Sequence, residues 1–196
     1  MASWQNFYLQ KMGTENGALY PTYESVSEWG VWCKEFTWKL YGNVKEPAVR
    51  SWNDEHGTDE YIGADGLWLD AYDLEVEFGC KAMSNDVKEV NNVRVAVSHF
   101  LEYLRSSGML MLFSSWSRVG RQYVRFKGVS DDATWEPDMI NKLDDENRAD
   151  ENTTTEFLVF KVTFKVNDPK TDITLHMSGN NKWLGLAGNN DVWLRD

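Results

Sequence analysis

Cysteine is nearly missing from this chain. Only Cys33 and Cys80 occur in 196 residues, too few for a disulfide framework. They lack the CxxC or clustered His/Cys spacing of a structural zinc site, so both are expected as small buried hydrophobes. Histidine is also scarce: His56, His99 and His176 are scattered. His99 falls beside a helical apolar stripe and is expected to be packed. No apolar run approaches the length a spanning helix needs, so no membrane partner is expected. The first residues lack the charged-then-apolar pattern of a secretion signal, so the product is expected to be made in a cytoplasm. Basic charge is short too, with 20 Lys and Arg against 31 Asp and Glu and a net charge of −11. That balance excludes tight nucleic-acid binding by phosphate neutralisation. It is compatible with DNA sliding past an acidic wall, or with solubility alone.

Catalytic signatures are lacking as well. Asp54, Glu55, His56, Asp59 and Glu60 form the densest titratable cluster. A hard cation would suit such groups, but the glycine comes too early and the closing glutamate of a calcium loop is missing. The cluster reads as a solvated or interface loop, with no metal. Glu75 and Glu77 share a strand face with Asp73, and such a row is more often a wet face than a glycosidase pair. Ser114, Ser115 and Ser117 lie outside any nucleophile-elbow pattern. Gly57, Gly63 and Gly66 do not make a phosphate loop. Asn152-Thr153-Thr154 matches a glycosylation sequon that has no meaning without secretion. No enzyme and no cofactor is expected.

What the chain has is aromatic surface and clear periodicity. Its ten tryptophans are many for 196 residues. Tryptophan supplies large, rigid contact area and is enriched at interfaces, so extensive contact with a partner is expected. From residue 72 to 80, Tyr72, Leu74, Val76, Phe78 and Cys80 alternate with Asp73, Glu75 and Glu77. Phe160, Val162, Phe164 and Val166 alternate with Lys161, Thr163 and Lys165. Each reads as a strand with one buried and one wet face. One wet face is acidic and the other basic, so the two are expected as neighbours held by cross-strand charge pairs. The second stops before Asp168-Pro169.

Between them, Val87, Val90, Val93, Val97, Phe100, Leu101 and Leu104 recur at three- and four-residue steps. This spacing predicts a helix capped by Ser84-Asn85-Asp86, ended by Gly108 and packed on a sheet. Residues 109–113 read as a buried strand, and 122–129 as an alternating one. Residues 28–41 read as a first strand covered on both sides.

The expected fold is mainly β with one packed helix, an α+β chain. Residues 1–28 read as an N-terminal arm with one short strand near 4–10, residues 29–175 as the domain, and residues 176–196 as a C-terminal extension. Two long polar segments interrupt the domain, 46–65 and the acidic 141–152. Loops of that length are usually functional or ordered by a partner. In the tail, a Gly-Asn-Asn turn leads twice to a Trp and a Leu, ending at Trp183-Leu184 and Trp193-Leu194. Trp183 and Trp193 are expected to dock on a neighbour; the alternative is a short terminal hairpin.

Five pieces in this order resemble the tube-like domain of the distal tail and tail-tube proteins of tailed bacteriophages. They are the loop from Val49 through Arg50, Trp52, Asp54, His56 and Gly57 to Tyr61; the strand at 67–78; the helix at 93–108; the strand at 118–128; and the closing strand at 157–169. Each piece is degenerate, and the order supplies the specificity. The resemblance implies a tail-tube-like β-sandwich flanked by the helix. It implies a structural virion protein of the tail or tail hub, forming a homo-oligomeric ring of six or a multiple of six subunits. DNA would pass through its lumen, and other tail, hub or neck proteins would adjoin it. A crAss-like gut phage is one home for such a chain. The subunit contacts implied are Arg50, Trp52, Asp54, His56, Tyr61, Trp183 and Trp193. The competing reading is a carbohydrate-binding β-sandwich, which would set several tryptophans coplanar on one exposed face.

Overall fold

A computed structural model of the chain describes residues 4–34, 36–39, 41–51, 53, 56–81, 90–137, 156–170, 173–177 and 183–188. Its elements are β1 (Phe7–Lys11), β2 (Thr14–Glu15), β3 (Ala18–Leu19), β4 (Thr22–Glu24), α1 (Ser25–Trp29), β5 (Val31–Cys33), β6 (Ala48–Arg50) and β7 (Asp59–Tyr61). They continue with β8 (Tyr72–Cys80), α2 (Val90–Ser106), β9 (Met109–Ser114), β10 (Gly120–Pro137), β11 (Glu156–Val166), β12 (Ile173–Met177) and β13 (Trp183–Gly188). The protein is mainly β, as its alternating segments require.

One seven-stranded antiparallel sheet carries the core, in the order β4-β1-β9-β10-β11-β8-β5. Its two ends meet. Just ahead of β1, the Gln5 amide donates to the Cys33 carbonyl at 2.7 Å, and the Cys33 amide donates back at 2.8 Å. The sheet therefore curls, and α2 lies against its inner face. The alternation read from sequence decides which side chains turn inward. Tyr72, Leu74, Val76, Phe78 and Cys80 on β8 join Leu158, Phe160, Val162, Phe164 and Val166 on β11 in one buried cluster. From α2 come Val93, Val97, Phe100 and Leu104. Phe100 sits at the centre, its ring 5.5 Å from Phe78, 6.0 Å from Phe7 and 6.3 Å from Phe160.

β8 and β11 are neighbours, with Lys161 opposite Glu77 and Lys165 opposite Asp73. The charge pairing expected across them is present and extends sideways. Lys127 on β10 reaches Asp73 at 2.6 Å, Lys165 lies 3.9 Å from the same carboxylate, and Lys34 pairs with Glu77. The Lys127 hydrogen bond, helped by Lys165 and Arg125, holds the Asp73 carboxyl below the usual carboxylate range.

β9 is apolar throughout because both of its faces are covered. Leu110 and Leu112 enter the inner core, while Met111 and Phe113 join Tyr8 and Ile173 in a second buried cluster on the outer face. The β12–β13 hairpin lies there, touching β9, β10, β1 and β4. The backbone of β10 gives way to it at Gly120. A Cβ at Gly120 would meet the Ile173 side chain and stand 2.9 Å from the Leu112 carbonyl.

Three expectations need correction. Much of the stretch read as an N-terminal arm is built into the sheet, because β1 lies between β4 and β9 with Phe7, Tyr8, Leu9 and Gln10 all buried. Burial on both faces erased the period that would have marked it. The first strand spans 31–33 and not 28–41, because Ser25–Trp29 is helical and ends on Gly30 at φ 64°. The apolar residues beyond it, Phe36 and Trp38, stack on each other 5.2 Å apart outside any strand. His99 is exposed on α2 and not packed. Trp183 and Leu184 begin β13, which pairs with β12, Trp183 opposite Met177.

The helix stop is where the spacing put it: Gly108 takes φ 69°, and the Ser107 amide donates to the Tyr103 carbonyl at 3.0 Å. The expected caps Ser84, Asn85 and Asp86 and the acidic loop 141–152 lie outside the described residues.

Candidate assembly interface

Between β5 and β8 the chain leaves the sheet as an arm, residues 41–70. Its stem is a two-stranded ladder. Val44 bridges Leu69, the Lys45 amide donates to the Trp68 carbonyl at 2.6 Å, and the Asp70 amide donates to the Asn43 carbonyl at 2.8 Å. Further out, β6 pairs with β7, setting Ala48 opposite Tyr61, Val49 opposite Glu60 and Arg50 opposite Asp59. A tight turn follows, in which the Gly66 amide donates to the Gly63 carbonyl at 2.9 Å and Gly66 holds φ 82°. The base is anchored at buried Gly42, whose Cα faces Leu69, Asp70 and Pro169.

Of the described residues between Gly42 and the end of the arm, none is buried. The arm nevertheless carries large apolar groups. Tyr61 is 78% exposed, Tyr41 74% and Trp68 66%, with Val49, Ile62 and Leu67 also exposed. A lone two-stranded hairpin is marginal in water, and a concentration of exposed apolar side chains on one marks a contact surface. The arm is also acidic, with Glu46, Asp54, Glu55, Asp59, Glu60, Asp65 and Asp70 against Lys45 and Arg50.

Three of the expected contact residues lie on the arm. Arg50 and Tyr61 share one face of the hairpin, two register positions apart, and His56 is exposed between β6 and β7. Trp52, Asp54 and Trp193 lie outside the described residues, and Trp183 is described only as the first residue of β13. Sequence reading missed Tyr41, Ile62, Leu67 and Trp68 as contact candidates. Their signal was available: apolar residues inside a polar, turn-rich segment have no core of their own to enter.

A second feature lies on the far flank of α2. Leu158, Phe126, Val97 and Leu101 floor an open groove of about 660 Å³, with Arg94, Ser98, Glu102 and Arg105 along its rim. Arg105 Nε donates to Glu102 at 2.8 Å, fixing the rim on that side. The exposed tryptophans among the described residues are Trp68 on the arm and Trp116 in the β9–β10 turn. Trp29 is buried in the core against Tyr103 and Phe100. Among the described residues no three His, Cys, Asp or Glu side chains converge as a metal site would require, and no helix is long and apolar enough to cross a membrane.

No family model matches the sequence, and no curated protein does. Among solved structures the chain is similar to the Dit protein of phage SPP1, described as a paradigm of the hub adsorption apparatus in phages infecting Gram-positive bacteria. The two share 12% identity with a TM-score of 0.45, over 86% of this chain and 52% of that one. The chain thus spans about half the length of that protein.

Proposed function

We infer that the protein is a structural subunit of a bacteriophage tail or tail hub, resident in the virion. It assembles as a ring of six or a multiple of six copies around the channel through which DNA is ejected. It joins neighbouring tail, hub or neck components and has no catalytic role. One observation carries this reading: a long arm without a core of its own, holding Tyr41, Tyr61, Ile62 and Trp68 out in solvent. Such an arm is stable and useful only when a neighbour covers it. The order of strand, helix and strands along 67–175 supports the same reading through its resemblance to tube-like tail domains. The net charge of −11 suits a wall past which DNA slides. A carbohydrate-binding platform would set several tryptophans coplanar on one face; among the described residues the exposed ones, Trp68 and Trp116, stand on different elements.

The test is direct. Purified protein is taken through light scattering and negative-stain imaging over a concentration series, alone and mixed with the other virion proteins. Annular particles of six-fold or multiple-of-six symmetry are the expected result. A particle that stays monomeric under both conditions refutes the reading.

A further inference from the structure

We propose that the arm of one copy docks into the α2–β10 groove of the next copy. The proposal rests on the ring reading above and deepens it by naming both halves of the contact. Three observations meet. The arm has apolar side chains that no other described residue covers, Tyr61, Ile62 and Trp68 foremost. The groove has an apolar floor of Val97, Leu101, Phe126 and Leu158 and a volume of about 660 Å³, enough for several large side chains. Their charges are complementary. The arm holds seven acids against two bases, Lys45 and Arg50, in 30 residues. Among the described residues the groove rim carries Arg94 and the Arg105–Glu102 ion pair, a net positive charge, in a chain that is strongly acidic. An acidic strand edge meeting a basic rim steers the approach, while the apolar floor supplies the contact.

Topology makes this contact run head to tail. The arm rises beside Pro169, next to the Tyr72–Val166 end of the β8–β11 pair, whereas the groove runs beside α2 from Phe126, opposite Phe164, to Leu158, opposite Cys80. Each copy thus has one arm and one groove on different parts of its surface. A contact of that kind is heterologous: it leaves one free arm and one free groove at every step, and it closes into a ring when the rotation allows.

The test uses the full chain in two copies, one carrying Ala64→Cys in the exposed turn of the arm and the other Ser98→Cys. Both native thiols are buried, so a short bis-maleimide reads only the introduced pair. A covalent heterodimer is expected, formed faster than between two copies of either variant. Separately, Arg105→Glu should weaken self-association at least ten-fold, and mixing it with copies carrying Glu60→Lys should restore much of the loss. Oligomers that form with neither the cross-link nor the charge rescue overturn the arm-in-groove contact and leave the ring reading standing. A protein that stays monomeric and uncross-linked at every concentration, alone and mixed with the other virion proteins, overturns both.

Discussion

Tyr103 shows how one side chain links packing to pH. It projects from α2 between Tyr23, 5.4 Å away, and Trp29, 5.1 Å away. Its hydroxyl is buried and meets no acceptor among the described residues. Burial pushes its pKa up from 10.0 to about 12. A raised folded-state pKa means the folded protein holds the proton more tightly than the unfolded chain. The stability tied to that proton is whole below about pH 10 and drains away as the pH climbs through the folded value. Tyr103→Phe removes the titration and the unmet hydroxyl together. At pH 8 the variant should match or slightly exceed the parent in urea unfolding. Between pH 10 and 12 it should lose stability less steeply. A parallel decline of the two proteins across that range would refute the assignment. Tyr8 and the Cys80 thiol are raised the same way, mainly by burial, so some alkaline loss remains in the variant. A truncation of deeper consequence is Phe100→Ala, which empties the meeting point of α2, β1, β8 and β11. It should cost about 3–5 kcal/mol, read as a drop in the urea midpoint with an unchanged slope.

At the scale of elements, the described tie between the outer hairpin β12–β13 and the sheet is Ile173 packed against Gly120. Gly120→Ala places a methyl where the Leu112 carbonyl and the Ile173 side chain already stand. The backbone cannot yield as a flexible side chain would, so the hairpin must lift. A cost of about 1–3 kcal/mol is expected. Hydrogen exchange should quicken in 173–177, while β8 and β11 keep their protection. Uniform loss of protection would show that the hairpin and sheet open as one unit. The same elements show what a sequence can disclose. β8, β11 and the body of α2 were legible because each has one wet and one dry face, and the Asp73, Glu77, Lys161 and Lys165 charges announced which strands adjoin. A strand near 4–10 was legible, but the place of β1 inside the sheet was not, because Tyr8 and Gln10 are as buried as Phe7 and Leu9, and a strand covered on both sides has no period. The short α1 was hidden by alternation running on through Trp32, Phe36 and Trp38. Of the interface, Arg50, His56 and Tyr61 could be picked out as a polar loop punctuated by an aromatic. The groove could not, since its floor joins α2 to β10 and β11 and exists only once they pack.

At the scale of the whole molecule, the core and the proposed assembly surface lie in different parts, and this gives the sharpest prediction. The inner core holds the aromatic rings of Phe7, Phe36, Phe78, Phe100, Phe160 and Phe164 and owes nothing to the arm. The arm owes its anchoring to Gly42 and Pro169 at its base and offers its exposed surface outward. Tyr61→Ser combined with Trp68→Ser should therefore leave the fold intact. Surface changes away from core and caps stay within about 0.5 kcal/mol each, so the urea midpoint should barely move. Assembly should respond strongly. Covering one such aromatic removes apolar surface from water worth roughly 3 kcal/mol at 25 cal/mol per Å². Losing two at the centre of a contact should weaken each subunit junction by at least about 2 kcal/mol, roughly thirty-fold in its dissociation constant. A ring multiplies that loss over all its junctions, so annular particles should vanish from negative-stain fields at concentrations where the parent forms them. A double variant that assembles normally would mean the arm is covered by something other than a neighbouring subunit. A double variant that unfolds would mean the arm supports the sheet after all.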